Sequence, residues 1–549
     1  MNTLRERFLD WNIYQIYLRS FFDSNSDGVG DLTGVQRKLD YLQELGVNAL
    51  WISPCYKSPN VDNGYDVSDY YDISEEFGGF KAWEELLRQL HLRGMKLIMD
   101  LVLNHTSSKH RWFQEAKKSK DNPYHDYYIW AKKPLNDWES VFGGSAWEYN
   151  KATDEYYLHS FAVEQPDLNW ENPKVRKECC AIVDYWTELG VDGFRCDVLD
   201  FISKDFKKGK MYNGPKLHTY IRQLFDRENT ARLFTIGECK STAKNILSIC
   251  GKERGELTTV FQFDHITLGK KDKYTPKKFS FSMLKDTLVK WQEFSIKNEL
   301  LYVLFTDNHD QPFFLSRLGN DKELRYECAT MIATMFYLLK GIPVIYQGQE
   351  FGSVNSDYTD IKAYQDVETL QYYRMHKGEK DQKTLFEKIL FASRDHTRRP
   401  MAWTKNGDTM YGFTDKKPWL APPLRADEIN LETDKNSEKS IFLFYKNLLA
   451  FRAHSLAVRY GEFENLSVEK DSFIFRRIYK KEEIYVVCNF EKEQTLSLPK
   501  ALQTDEWHLL LRNYSDRTNF EPSFRPYEIA VYAKNIPFSP LQTENSVIQ

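Results

Sequence analysis

Eight short apolar runs, separated for the most part by helical patterns, limit the fold more than any other feature of this chain. They read IYQIYLRSF from Ile13, NALWISP from Asn48, KLIMDLVLNH from Lys96, VDGFRCDVLDF from Val191, LFTIGE from Leu233, TTVFQFDH from Thr258, LYVLFTDNHD from Leu301 and IPVIYQGQE from Ile342. Continuous apolar runs suit strands buried on both faces, and the helical spacing between them suits crossovers. KAWEELLRQLHLRG, for example, puts Trp83, Leu86, Leu87 and Leu90 on one helical face and stops at Gly94. Eight such units imply an α/β fold, a parallel sheet closed into a (β/α)8 TIM barrel.

Two segments break the alternation. Residues 105–168 mix Trp, Tyr, Asn, Gly and Pro. A structureless loop of that length is improbable in a packed domain, so an inserted subdomain (domain B) is expected after the third strand. Past about residue 460, runs such as SFIFRRIY, EIYVVCNF and EIAVYA signal a C-terminal antiparallel β-sandwich over 461–549. The catalytic barrel is then 1–104 with 169–460.

Net charge is −4, which gives no reason to expect a nucleic acid or an anionic membrane as partner. The opening MNTLRERFLDWN has no signal-peptide core, and no run approaches the roughly 18 apolar residues of a membrane span. The 8 cysteines follow neither a disulfide framework nor a zinc motif, so a reducing cytoplasm is expected. Aromatic content of 15% suits stacking against sugar rings as well as core filling.

Polar residues end the strands. KLIMDLVLNH closes on Asn104 and His105, GFRCD on Asp197, TIGE on Glu238 and FTDNHD on His309 and Asp310. One acid after one strand is most simply a helix cap. Three acids from three strands, with two histidines and Arg195 at the same barrel face, point to catalysis. No serine nucleophile elbow or phosphate-cradling glycine loop appears. Clustered carboxylates then favour glycoside chemistry, in which one attacks the anomeric carbon and another protonates the leaving oxygen. Arg195 and Asp197 are two apart in a strand and share the inward face, so the guanidinium is expected to orient Asp197 and keep it ionised. Ionised neighbours are expected to raise Glu238, the acid.

The loop SFFDSNSDGVGDL places Asp23, Asn25, Asp27 and Asp31 around Gly28 and Gly30. An all-oxygen set of this spacing resembles half an EF-hand and suits Ca2+, or Mg2+. The twelfth position is Gly34 where that motif needs glutamate. The alternative is a polar turn in which the Asp and Asn side chains bond their own backbone.

Taken in order, DLVLNH, GFRCDV, TIGE and FTDNHD resemble the four signature regions of the α-amylase superfamily, glycoside hydrolase family 13. QPDLN at 165–169, with DNGYDVSDY, DYYIW, FGGSAWEY and TDEYYLH, resembles its oligo-1,6-glucosidase branch. The resemblance implies a barrel with domain B and a C-terminal β domain. It makes Asp197 the nucleophile, Glu238 the acid/base and Asp310 the transition-state stabiliser. His105 and His309 are then hydroxyl ligands, with Asp100 and Asn104 in support. The opening loop matches the family's calcium site, with Val29 adding its carbonyl. Asp62 and Arg398 correspond to an ion pair that closes the pocket of exo-acting members, and Tyr65 to the sugar platform. Val198 resembles the valine of α-1,6-preferring enzymes.

These features imply an exo-acting retaining α-glucosidase acting on isomalto-oligosaccharides, expected as a monomer. Cys239, Lys240 and Phe313 depart from the branch pattern. They keep open a trehalose-6-phosphate hydrolase and an α-1,4-glucosidase with the same machinery. A non-catalytic glucan-binding or transporter-associated member is the more remote alternative. Cysteines beside two of the acids, Cys196 and Cys239, raise the expectation of inactivation by thiol reagents.

Overall fold

The computed structural model describes residues 6–240, 242–251, 255–378, 381–517 and 520–538. The eight apolar runs each contribute one strand: β1 (Ile13–Ile16), β2 (Ala49–Ile52), β3 (Lys96–Val102), β4 (Gly193–Asp197), β5 (Phe234–Gly237), β6 (Thr259–Val260), β7 (Val303–Leu304) and β8 (Ile342–Tyr346). They form one parallel sheet in the order β6-β5-β4-β3-β2-β1-β8-β7. Across the remaining gap Thr259 donates its hydroxyl to the Leu301 carbonyl at 2.8 Å. The Phe261 and Phe305 rings meet edge to face beside it at 5.1 Å.

Period-2 alternation sorts each strand. Leu97, Met99 and Leu101 of β3 face outward into the main core, with Trp83, Leu86, Leu87 and Leu90 of helix α1 (Gly79–Leu92). Ile98 instead joins Ile13, Trp51, Ile236 and Val344 inside the barrel. Toward the carboxyl ends this inner stripe turns polar, from Ile98 to Asp100 and from Gly193 to Arg195 and Asp197. Register sets Asp100 beside Arg195 and Val102 beside Asp197. A side chain at position 193 would lie 2.4 Å from the Phe234 carbonyl, so only glycine lets β4 and β5 approach this closely. Helix α2 (Pro173–Glu188) seals the outside through Trp186, 4.9 Å edge-on from Trp83.

Between β3 and α2 lie three short antiparallel strands, Trp130–Ala131, Trp147–Asn150 and Glu155–Leu158, the last in the middle. A bridge between His105 and Asp167 pins the start of this segment to its end. A second excursion follows β8 and was not separated from the barrel by its sequence. It carries helix α3 (Val367–His376) and the short helix Asp395–Arg398, and it covers the same barrel face. Helix α4 (Ile441–His454) then leads to a five-stranded antiparallel sheet, Glu462–Asn465, Ser472–Tyr479, Glu482–Asn489, Ile529–Lys534 and His508–Arg512 in spatial order. One face, with Phe473, Phe475, Ile484 and Val486, joins the main core. The other packs Ile474, Tyr485 and Val487 against Phe524 of a two-stranded ribbon (Gln494–Thr495 with Ser523–Phe524) and against Leu496 just after its first strand. Residues 539–549 of the expected C-terminal domain lie outside the described residues.

Behind the barrel wall, Tyr14 and Tyr41 both donate to Oε1 of Glu350, a fully buried side chain, with the Tyr14 bond at 2.6 Å. Burial outweighs these donors and pushes the carboxyl from 4.5 up to about 7. Between those values the unfolded chain ionises while the folded one keeps its proton, so stability is lost as pH rises through the window. Wild type should lose on the order of 3 kcal/mol from this group between pH 4.5 and 7. Glu350→Gln keeps the acceptor and removes the titration, so denaturation curves across that range should show a flatter loss. Parallel curves for the two proteins would contradict this.

Candidate active site

Arg195 lies at the centre of the polar end of the barrel and is 2% exposed. Its Nη1 donates to Asp100 and to Asp197, each at 2.7 Å, and its Nη2 donates to Glu238. Asp100 also accepts from the Trp51 indole at 3.1 Å and the Tyr65 hydroxyl at 3.0 Å. One guanidinium cannot neutralise three carboxylates held this close together, so their proton affinities are raised. Burial raises Asp197 well above the carboxylate range against the pull of Arg195, with Glu238 and Asp100 adding to the rise. Burial raises Glu238 as well, helped by Asp310 and Asp100 and opposed by Arg195. The expected rise of Glu238 is therefore present, with burial ahead of charge as its cause. The guanidinium expected to orient Asp197 is in place, while burial and the neighbouring acids raise the carboxyl against its pull.

Asp310 has the opposite surroundings. It accepts from Arg398 at 2.8 Å and Arg394 at 3.2 Å, and His309 Nε2 lies 3.1 Å away. Burial opposes its ionisation, but His309 and the two arginines outweigh burial and hold it below the usual range. Gln15 donates to His309 Nδ1 at 2.8 Å, which leaves the ring proton on Nε2, facing Tyr65 Oη at 2.7 Å and Asp310. The Tyr65 ring stacks on His309 at 5.3 Å, nearly parallel. His105 Nε2 is 3.0 Å from the Tyr65 carbonyl, and burial pushes this imidazole down to about 4. Asn104 braces it from below, 3.2 Å from His105 Nδ1, while accepting from Lys204 at 3.0 Å.

These groups line one cavity of about 670 Å³. Asp62, Tyr65, His105, Asp197, Glu238 and Asp310 are all on its wall, and so are Val198, His309 and Arg394. Arg195, Asp100 and Asn104 lie behind them. Val198 adopts a left-handed conformation, φ 36° and ψ 45°, which strains a β-branched residue. This turn aims its N–H at Glu238, 3.4 Å away.

One expected contact is corrected. Asp62 pairs with Arg394, at 3.3 Å, and not with Arg398. The short helix after Arg394 carries Arg398 one turn deeper, where it is fully buried and donates to the His309 carbonyl at 2.7 Å and to Asp310. Arg394 stands in the same SRDHTRRP motif, and only the path of the chain tells the two apart. Gln165, which donates to Asp62 at 3.2 Å, and Asp366 beneath Arg394 were also missed.

The departures from the branch pattern separate in space. Phe313 lies in a small core with Tyr17 and Tyr346, off the cavity wall. Lys240 is on the wall, its Nζ 4.0 Å over the Tyr212 ring and its N–H on Asp200 at 2.9 Å. Cys196 and Cys239 are buried, and burial raises both thiols, which opposes reaction with thiol reagents.

In the 23–31 loop the side chains turn to the backbone. Asp23 accepts from the N–H groups of Asn25, Ser26 and Gly28 and from the Thr414 hydroxyl, which fills its four lone-pair positions. Asp27 accepts from Val29 N–H at 2.8 Å, Asn25 from Asp27 N–H at 3.0 Å, and Asp31 caps Gly34 at 2.7 Å. Among the described residues no three His, Cys, Asp or Glu side chains gather as a metal cluster.

Comparison with known proteins agrees with this architecture. Residues 15–461 match the family model described as alpha amylase, catalytic domain. The oligo-1,6-glucosidase of Parageobacillus thermoglucosidasius is 43% identical, aligned over 96% of this chain and 98% of that protein. The trehalose-6-phosphate hydrolase of Bacillus subtilis is 39% identical over the same shares. Among solved structures, a Bacillus licheniformis trehalose-6-phosphate hydrolase superposes with a TM-score of 0.89 at 38% identity, covering 96% of this chain and 99% of that one. With its catalytic architecture matched and relatives this similar from end to end, the chain belongs to the alpha-amylase family of glycoside hydrolases.

Proposed function

We propose that the protein is an exo-acting retaining α-glucosidase that releases terminal glucose from α-1,6-linked isomalto-oligosaccharides. The observation that carries the reading is the set Asp197, Glu238 and Asp310 around one cavity, with the first two tied to the same guanidinium. Glu238, the raised carboxyl, gives its proton to the glycosidic oxygen as the bond to the anomeric carbon breaks. Asp197, oriented by Arg195, attacks as the carboxylate, the proton of the Arg195 cluster residing on Glu238, and forms the new bond to that carbon. Water then attacks the glucosyl ester, gives a proton back to Glu238 and frees Asp197, so the anomeric configuration is retained. Asp310, held ionised, faces the positive charge that develops on the sugar ring.

The Asp62–Arg394 contact supports chain-end selectivity, because a bridged wall leaves room for one terminal sugar unit. Tyr65, His105 and His309 are assigned to that unit. Val198 on the wall and the names of the oligo-1,6-glucosidase relatives support the α-1,6 preference. A second reading, a phosphorylated disaccharide as substrate, draws support from Lys240, Lys270, Lys271 and Lys273 on the wall and from the trehalose-6-phosphate hydrolase relative. No helix among the described residues is long and apolar enough to cross a membrane. A cytoplasmic monomer is part of the proposal.

We extend the proposal to a hard cation, Ca2+ or Mg2+, in the 23–31 loop, held by Asn25, Asp27, Asp31 and the Val29 carbonyl, with Asp23 giving up one of its bonds. The all-oxygen donor set supports it.

Product analysis by NMR on isomaltose, maltose, p-nitrophenyl α-glucoside and trehalose 6-phosphate tests the substrate. Isomaltose should be cleaved fastest, with α-glucose formed first; preference for the phosphorylated sugar would select the second reading. Glu238→Gln should cut kcat on isomaltose by roughly 10²- to 10⁴-fold. Its effect should be much smaller on p-nitrophenyl α-glucoside, whose leaving group needs no proton, and equal losses on both would remove Glu238 from the acid role. For the loop, a chelator should lower Tm, added Ca2+ should restore it, and Asp27→Ala should be indifferent to both. An unchanged Tm would leave the loop as a hydrogen-bonded turn.

A further inference from the structure

Arg394 touches two parts of the site at once. Its Nη2 reaches Asp62 at 3.3 Å on the pocket wall, and its Nη1 reaches Asp310 at 3.2 Å. Both contacts are long for charge-assisted bonds, and neither fixes the roll of the planar guanidinium. The short contacts are on a third acid. Asp366 Oδ1 accepts from Nε at 2.9 Å and from Nη2 at 2.5 Å, and so takes the Nε–Nη2 edge of the fork, sharing Nη2 with Asp62. Asp366 is 1% exposed and does not line the cavity.

Its own position is over-determined. It is the N-cap of α3, accepting from Glu368 N–H at 3.3 Å and Thr369 N–H at 3.1 Å, with the Thr369 hydroxyl at 2.7 Å. Arg394 and Arg398 hold its carboxyl below the usual range against burial, so it is a fixed negative charge. The helix it caps puts Glu368 on the cavity wall. Asp366 therefore ties the guanidinium to a rigid element from outside the substrate space.

We propose that Asp366 is the positioning residue of the glucosyl pocket. By gripping one edge of Arg394, it sets the reach of that guanidinium to Asp62 and Asp310, and so governs both chain-end selectivity and the placement of the stabilising carboxylate. The inference rests on the α-glucosidase reading above. It goes beyond that reading by naming a residue that touches no sugar yet decides which sugars enter.

The test compares wild type, Asp366→Asn, Asp366→Glu and Asp62→Ala on p-nitrophenyl α-glucoside, isomaltose and isomaltohexaose, with kcat and KM separated and products resolved by chain length. Asp366→Asn keeps the cap acceptor and weakens the hold on Arg394. It should raise KM for isomaltose roughly 10- to 100-fold, the scale of a small displacement in a preorganised site. The kcat/KM ratio of isomaltohexaose to isomaltose should rise at least several-fold, and products from internal cleavage should appear. Asp62→Ala should shift the same ratio in the same direction. The double variant should shift it by less than the product of the two effects. Asp366→Glu, which restores the charge, should recover part of the selectivity. A uniform fall in kcat with unchanged KM and unchanged products would mean a structural role only and would overturn the inference, as would wild-type kinetics in Asp366→Asn. Wild type inactive on all three glucosides would instead overturn the reading of the reaction and, with it, this inference.

Discussion

The guanidinium of Arg195 is shared by three carboxylates from three different strand ends, the buried Asp100 and Asp197 and the partly exposed Glu238, and the site depends on that sharing. Asp100 comes from β3, Asp197 from β4 and Glu238 from the end of β5, and no two of them are close in sequence. Only a parallel sheet curved enough to bring these ends together lets one cation serve all three. The barrel is thus a condition of the electrostatics as well as their scaffold. Moving β4 by one residue against β3 would turn Arg195 to the outer core and leave a buried cation without partners, a defect of several kcal/mol. The close approach of β4 and β5 at Gly193 guards that register from the other end of the strand.

Much of this was legible because the strands carry their own orientation. Alternation in KLIMDLV puts Leu97, Met99 and Leu101 on one face and Ile98 and Asp100 on the other. The change from apolar to charged along the inner face marks which end is open. The same logic places Arg195 and Asp197 together on the inner face. It failed where a side chain's direction is set by tertiary path. Arg394 and Arg398 are one helical turn apart in a motif with three arginines, and which of them meets Asp62 depends on how the excursion after β8 folds over the barrel. Phe313 shows the same limit, since a residue three past Asp310 is free to turn toward the core, and does.

The loop at 23–31 shows a different limit. Asp and Asn at alternate positions around glycines suit a cation, and they suit equally a run of side-chain caps on backbone N–H groups. Both arrangements need short oxygen-bearing side chains at the same spacing. The sequence therefore narrows the chemistry of the loop without choosing between them. In the folded chain Asp23 is bonded to Thr414, nearly four hundred residues on, so the turn is anchored to the segment that precedes α4.

The two arginine systems explain why chemically identical acids behave differently across one cavity. Around Arg195, one positive charge meets three carboxylates, and Asp197 and Glu238 rise. Around Arg394 and Arg398, two positive charges meet Asp310 and Asp366, and both of those carboxyls fall. Asp62, the third acid of that group, is left over, and burial pushes it up to about 6. Which carboxyls are raised and which lowered thus follows from the number of guanidiniums on each side, with burial magnifying any imbalance. An acid that must donate a proton and another that must stay charged can then face the same sugar at the same pH. The second system includes the pocket wall, so its charge balance is linked to what the cavity admits. Neutralising one acid there redistributes the hold of two arginines at once, and a change made to alter selectivity reaches the reacting centre as well.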